Sequence, residues 1–259
     1  MNRSAARAID IIDLVAESKE SMTITEISKI LDMPKSTAFD LVYTLVNKGY
    51  LEATDSKNKT FGLGLRLFQA GARYLEKTNF YDIAHPVLEE IMRKTNETVF
   101  LALENNGRLV YLDKVETTSS VRTYCQIGSN HPMYHAGLGK AILAAFSEEQ
   151  VREIIKEEDL IAKTQYTITT LDGLFKELDE TRKRGYAIDN REGEIEVFCV
   201  AAPIYNAMGK AFAGISIASM VSRMEADPGR VERFGKLIAE NAFSISKRIG
   251  FRGDTLYKV

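Results

Sequence analysis

Between residues 23 and 49 two short helices are separated by a three-residue stop, and that junction limits the fold more than any other stretch of the chain. Thr23 and Glu26 have the spacing of a capping box, in which each side chain satisfies the other residue's free N–H, so a helix is predicted to begin there. Its apolar face is Ile24, Ile27, Ile30 and Leu31, and it stops at Asp32-Met33-Pro34. The fixed φ of proline suits a first helical turn, so the next helix opens at Pro34 and runs to Asn47. Lys48 complements the helix C-terminus and Gly49 supplies a left-handed cap. Upstream, Ala8, Ile11, Ile12, Val15 and Ala16 form the stripe of an earlier amphipathic helix. Downstream, Tyr50 to Ala53 and Thr60 to Leu63 read as two short strands around a polar turn. Three helices and a hairpin in this order are the pattern of a winged helix-turn-helix.

In the helix after Pro34, residues Ala38, Leu41, Val42 and Leu45 make the inner face. Lys35, Ser36, Thr37, Asp40, Tyr43 and Thr44 are left outside, together with Asn47. Their hydroxyls and the lysine suit phosphates and base edges of double-stranded DNA. Lys57 and Lys59 on the wing suit phosphate. Asp40 is the awkward member, because a carboxylate repels phosphate; accepting from a cytosine amino group or orienting a nearby lysine are its compatible roles. Bulk charge gives no help. The whole chain carries a formal charge of -2, and residues 1–78 hold eleven basic against ten acidic side chains. DNA binding therefore rests on where the charges sit.

A fourth helix from about Gly64 to Lys77 places Leu67, Phe68, Gly71, Tyr74 and Leu75 on one stripe. Asn79 is a possible cap for another through Lys94, with Pro86 implying a kink or a late start. Beyond it, Val99 to Leu103 and Leu109 to Leu112 flank Asn105-Asn106-Gly107, a strong hairpin signal. Further strands are read at Val121–Cys125, Tyr186–Asp189, Phe198–Tyr205 and Ala211–Ala218. Helices are read at Leu138–Phe146, from Ser147 to Lys156, at Leu171–Arg184, and from Asp227 to Gly250. The class is α+β with an antiparallel sheet. No apolar run is long enough to span a membrane and no signal peptide leads the chain, so a cytoplasmic protein is expected.

Two further clusters bear chemistry. The run His131-Pro132-Met133-Tyr134-His135-Ala136-Gly137-Leu138-Gly139-Lys140 puts glycines at a helix start, where an anion can approach free N–H groups or where the turn only packs. His131 and His135 with Cys125 or Cys199 would be a thin metal set, lacking any Cys-x-x-Cys. Cys199 lies in an apolar strand as a small hydrophobe; with His135 and Asp189 it would make a cysteine-dependent hydrolase, although no sharp nucleophile elbow surrounds it.

The runs Thr25-Glu26-Ile27, Pro34-Lys35-Ser36-Thr37, Lys48-Gly49-Tyr50-Leu51 and Gly62-Leu63-Gly64 resemble the DNA-binding half of the isocitrate-lyase-regulator (IclR) family. His135-Ala136-Gly137-Leu138-Gly139-Lys140-Ala141 and Cys199-Val200-Ala201-Ala202-Pro203-Ile204 resemble its effector domain, in the same order. The resemblance implies a winged helix-turn-helix over 1–63, a linker helix over 64–78, a GAF-like effector-binding domain over 79–252 and a tail over 253–259. It implies a transcriptional regulator, repressor in the main expectation, and not an enzyme. The implied partners are an operator, a small organic acid effector and further copies of the chain as a dimer or a tetramer, with no cofactor. Pocket positions carried across are Ala136, Gly137, Asp189, Cys199 and Ser216; Ala218 stands where some acid-binding relatives have a second serine.

Overall fold

The structure is a computed structural model that describes residues 2–55, 59–78 and 80–257. It divides into two compact units, residues 1–79 and 80–259. The first contains α1 (Arg3–Glu17), β1 (Met22–Thr23), α2 (Ile24–Ile30), α3 (Lys35–Asn47), β2 (Leu51–Asp55), β3 (Thr60–Leu63) and α4 (Leu65–Thr78). The capping box forms as its spacing requires. Glu26 N–H donates to Thr23 Oγ1 at 3.3 Å, and Thr23 N–H donates to Glu26 Oε2 at 2.8 Å. Pro34 is the N-cap of α3, with extended ψ of 138°, so the helix begins one residue later than the proline signal suggests. Ile11, Val15, Ile24, Ile27, Ala38, Val42, Leu45, Leu51 and Phe61 form the core of this unit. Ile30 was expected in that core but is exposed, because α2 turns it outward in its final residue. Strand β1 is an addition: Met22 pairs with Phe61, giving a three-stranded sheet of order β1-β3-β2.

The second unit begins with α5 (Phe80–Thr95), which runs unbroken through Pro86 rather than starting late. Pro86 removes the N–H that would reach Asp82, and both residues lie on the exposed side of the helix. Next come β4 (Thr98–Asn105), β5 (Arg108–Val115), β6 (Asn130–Pro132), α6 (Gly137–Leu143), α7 (Glu148–Ile154) and α8 (Leu171–Arg184). The chain ends with β7 (Ala187–Asn190), β8 (Val197–Tyr205), β9 (Ala211–Met220), α9 (Val221–Glu225) and α10 (Arg230–Arg248). Asn106 and Gly107, with φ of 50° and 79°, make the two-residue turn between β4 and β5.

The six strands form one antiparallel sheet of order β6-β5-β4-β9-β8-β7. Helices α5 and α10 cover one face, and α6 covers the other. Alternation along the strands sends Val99, Leu101, Val200, Ala202, Ile215 and Ile217 toward α5 and α10. Phe100, Cys199, Ala201, Ser216 and Ala218 point to the α6 side. Residues 121–125, expected as a strand, are irregular instead. Thr123 is buried and Val121 and Tyr124 are exposed there, but the short β6 takes the edge place beside β5, so the segment has no ladder to join. Helix α9 was also not foreseen. The two ends of the unit are clamped by buried Glu97, which accepts from Ser219 Oγ at 2.8 Å and from Arg223 at 2.9 and 2.7 Å. Among the described residues no helix is long and apolar enough to cross a membrane.

Candidate functional site

The outer face of α3 carries Lys35, Ser36, Asp40, Tyr43 and Thr44 exposed and Thr37 half-buried. Thr44 Oγ1 donates to the Asp40 carbonyl at 2.7 Å, so its hydrogen is spent inside the helix and only its lone pairs face outward. Lys59 is exposed at the hairpin, in left-handed backbone with φ of 52°; Lys57 lies outside the described residues. Phe39 belongs to this face and escaped the sequence reading. It is 49% exposed and its ring centroid lies 4.5 Å from that of Tyr43. Tyr43 in turn stands edge-on to Phe61 of β3 at 5.8 Å. The available signal was an aromatic pair at i, i+4 on an otherwise polar face.

The second unit holds a cavity of about 400 Å³ on the α6 side of its sheet. Ala136, Gly137, Asp189, Cys199 and Ser216 all line it. Sheet register brings three of them together: Asp189 pairs with Cys199, Cys199 with Ala218, and Ser216 sits two residues along the same face. Helix α6 can lie this close because it begins with glycines. A Cβ on Gly137 would come 3.4 Å from Cys199 Cβ, and one on Gly139 would come 2.1 Å from the Met133 carbonyl oxygen. Gly139→Ala is therefore expected to destabilise the second unit by about 3 kcal/mol, since backbone rather than a flexible side chain must yield. Thermal unfolding followed by calorimetry checks this, and an unchanged melting temperature would contradict the close approach. The irregular segment around Thr123 to Cys125 and the loop at Gly193 to Val197 complete the walls.

Behind the cavity lies a charged cluster that sequence patterning did not reveal. Lys140 is fully buried, hydrogen-bonded to the Glu192 carboxylate and 3.9 Å from Glu177, which accepts from Arg184 at 3.0 Å. The loop carrying Glu192 is fastened further. Thr167 Oγ1 donates to the Glu192 carbonyl at 2.7 Å, and Thr164 Oγ1 to the Arg191 carbonyl at 2.5 Å. Glu192 N–H donates to Asp189 Oδ1 at 2.9 Å, so the buried lysine positions the loop that orients the cavity's own carboxylate.

Burial sets the ionisation of the wall. It raises the Asp189 carboxyl to about 6, against the opposing pull of Lys140. It lowers the His135 imidazole to about 4, with Lys163 adding to the effect, so the ring is neutral at pH 7. It pushes the Cys199 thiol well up, which leaves no thiolate. Neither nitrogen of His135 has a hydrogen-bond partner among the described residues. The structure therefore assembles no nucleophile triad from Cys199, His135 and Asp189, and the hydrolase reading has no support. Cys125 Sγ lies 3.7 Å from His131 Nε2 and 3.3 Å from Ser129 Oγ, a hydrogen-bonded cluster. Among the described residues no three His, Cys, Asp or Glu side chains converge as a metal would require.

Asp189 makes a pH prediction. Its folded value is raised above the unfolded one, so its contribution favours folding at low pH and is lost as pH rises from about 4 through about 6. His135 acts oppositely, since its lowered value costs stability as pH falls below its ordinary range. Comparing Asp189→Asn with the parent isolates the carboxylate. The variant is expected to gain about 2 kcal/mol at pH 8 and nothing at pH 4. Denaturant titrations at both pH values measure it, and an equal difference at the two would refute it.

Both units match known domains. Residues 4–55 match the IclR helix-turn-helix domain, and residues 72–247 match the C-terminal domain of the bacterial transcriptional regulator IclR. The chain is 32% identical over 250 residues to the transcriptional repressor IclR of Escherichia coli (strain K12), covering 96% of this chain and 90% of that protein. The crystal structure of the Thermotoga maritima IclR superposes with a TM-score of 0.77 at 33% identity, covering 97% of this chain and all of that one. An IclR homologue from Microbacterium hydrocarbonoxydans, crystallised with 4-hydroxybenzoate, shares the fold with a TM-score of 0.83 at 21% identity over 95% of this chain and 98% of that one. With both of its units matched in order and nearly its full length aligned, the chain belongs to the IclR family of DNA-binding transcriptional regulators, which are not enzymes.

Proposed function

We propose that this regulator is a repressor whose operator affinity is set by a small organic acid bound in the cavity of its second unit. The carrying observation is that cavity, about 400 Å³ and within the size range of small-molecule sites, in the same chain as a helix-turn-helix. The Ser216 hydroxyl and the glycine turn at Ala136 and Gly137 supply donors for a carboxylate. Asp189 repels a bare anion and is suited to accept from a ligand hydroxyl. The E. coli relative is named a repressor, and the Microbacterium homologue holds an aromatic acid, which accords with this reading. Operator control follows when the acid binds one arrangement of the DNA-reading heads better than the other; equal affinity for both would shift nothing. Couplings of this kind are about 1–3 kcal/mol.

The test is calorimetric screening of organic acids against the full chain, then operator titration with each acid that binds. Ser216→Ala is expected to weaken the acid about tenfold while leaving ligand-free DNA binding intact. Acids that saturate the protein without moving operator affinity would end the sensing mechanism.

Repression by a symmetric pair of heads requires self-association, and α4 offers a surface for it. Phe68 is 72% exposed and Leu65 67%, an apolar surface that is costly to leave in water. Phe68→Asp is expected to lower the oligomer mass in sedimentation, and to abolish binding to a site whose halves lie about 34 Å apart or a multiple of it. An intact oligomer of a folded Phe68→Asp variant would remove α4 from the interface.

A further inference from the structure

His135 and Thr123 are buried polar side chains with nothing to bind. His135 is 7% exposed and Thr123 8%, both line the cavity, and neither the ring nitrogens of one nor the Oγ1 of the other has a hydrogen-bond partner among the described residues. Leaving such groups unsatisfied is costly, so two orphan side chains lining one cavity mark places where a ligand supplies the missing bonds. The imidazole is held by packing. Its face meets Tyr134 edge-on with centroids 4.8 Å apart, and Gly193 lies against Nδ1, where a Cβ would stand only 3.2 Å away. Contacts that fix the ring while leaving its polar edge unused are those of a reading group rather than a packing one.

We propose that His135, together with Thr123, recognises a hydroxyl of the effector, so that the cavity selects hydroxylated carboxylic acids over their unhydroxylated counterparts. This rests on the acid-sensing reading above and names the ligand class within it. A neutral imidazole offers one N–H donor and one bare nitrogen acceptor, and the threonine hydroxyl also does both. A carboxylate only accepts, and would leave the imidazole acceptor unsatisfied. A hydroxyl both donates and accepts, and so fits either residue. Asp189, acceptor-only when ionised, favours a hydroxyl for the same reason. The wall thus asks for an acid at the glycine turn and at least one hydroxyl at the His135 end. Sites built around a ligand hydroxyl reject the analogue lacking it strongly, because their own polar groups are then stranded.

The test uses the full-length protein and two matched pairs, D-gluconate with hexanoate and 4-hydroxybenzoate with benzoate. Affinities come from calorimetry, since the chain has no tryptophan to report binding. At least one hydroxylated member is expected to bind at least tenfold more tightly than its partner. In His135→Ala that preference should fall to threefold or less, His135→Asn should restore part of it by supplying a donor and an acceptor, and Thr123→Val should reduce it independently. The chain has three histidines, so imidazole-labelled protein gives three ring signals, and the one lost in His135→Asn is expected to move with the hydroxylated acid alone. Equal affinity within both pairs, a preference that survives His135→Ala, an unmoved His135 signal, or no binding by either hydroxylated acid would each overturn the assignment. Operator titration separates the two readings. An acid that shifts operator affinity without hydroxyl preference overturns this assignment alone, and one bound with that preference but without an operator shift overturns the sensing mechanism alone.

Discussion

Replacing Lys140 with methionine is expected to destabilise the second unit by about 3–5 kcal/mol, the cost of stranding a buried charge partner. The ammonium is fully buried and bonded to Glu192, whose other oxygen, Oε2, has no partner among the described residues. Without the lysine, Glu192 faces Asp189 and Glu177 with no cation of its own, while Glu177 keeps Arg184. Burial already raises the Glu192 carboxyl, so in the variant a proton takes the place of the lysine. The sign follows: a raised carboxyl stabilises the fold at low pH and loses that contribution as pH rises. The destabilisation by Lys140→Met should therefore be largest near pH 8 and shrink toward pH 5. Lys140→Met combined with Glu192→Gln should recover more than half of the loss, because neither charge remains. The second-unit transition in scanning calorimetry is the measurement. A loss below about 1 kcal/mol at pH 8 would mean that the cluster is solvated, contrary to its geometry.

Thr37→Glu is expected to reduce operator affinity by at least about 100-fold, since a like charge set against phosphate costs several kcal/mol. Thr37 stands half-buried in the first turn of α3 and is not among the buried residues Ala38, Val42 and Leu45 of its inner face. An acidic residue near a helix N-terminus favours the helix, so the variant should fold at least as well as the parent. Loss of binding would then report on recognition alone. Lys59→Ala should weaken all sequences alike and flatten the salt dependence, the mark of a phosphate contact. Fluorescence anisotropy with operator and random duplex reads both. If Thr37→Glu binds the operator normally, α3 is not the reading helix.

The first unit was legible because its signals are local. The Thr23–Glu26 capping box, the Pro34 stop and the Gly49 cap each act within a few residues, and the helices follow. Phe39 was placed on neither face because its apolar ring fits no polar pattern, whereas here it pairs with Tyr43 outside. In the second unit the hairpin turn, the helix start at Ser147 and the helix end at Arg184 were equally local. The strand expected at 121–125 failed because alternation alone does not say whether a neighbouring strand has a free edge. The cavity positions Ala136, Gly137, Asp189, Cys199 and Ser216 came from resemblance, and register explains why they share a wall. Lys140 and Glu192 were beyond reach: they lie 52 residues apart, and no spacing rule pairs a lysine in a buried helix with a loop carboxylate.

The central pair of the large sheet joins β4, near the start of the second unit, to β9, near its end. Ser219 and Glu97, which clamp that pair, are separated by 122 residues of chain. Long-range pairings of this kind are slow to close, and domains form as units from the N-terminus as the chain is made. On the ribosome, the helix-turn-helix has all of its core contacts once residues 1–63 have emerged. The cavity has no floor until β9 follows, because Phe100 on one side meets Ser216 on the other only across this last junction. During the intervening synthesis the nascent polypeptide carries a finished helix-turn-helix unit and a cavity still lacking its floor.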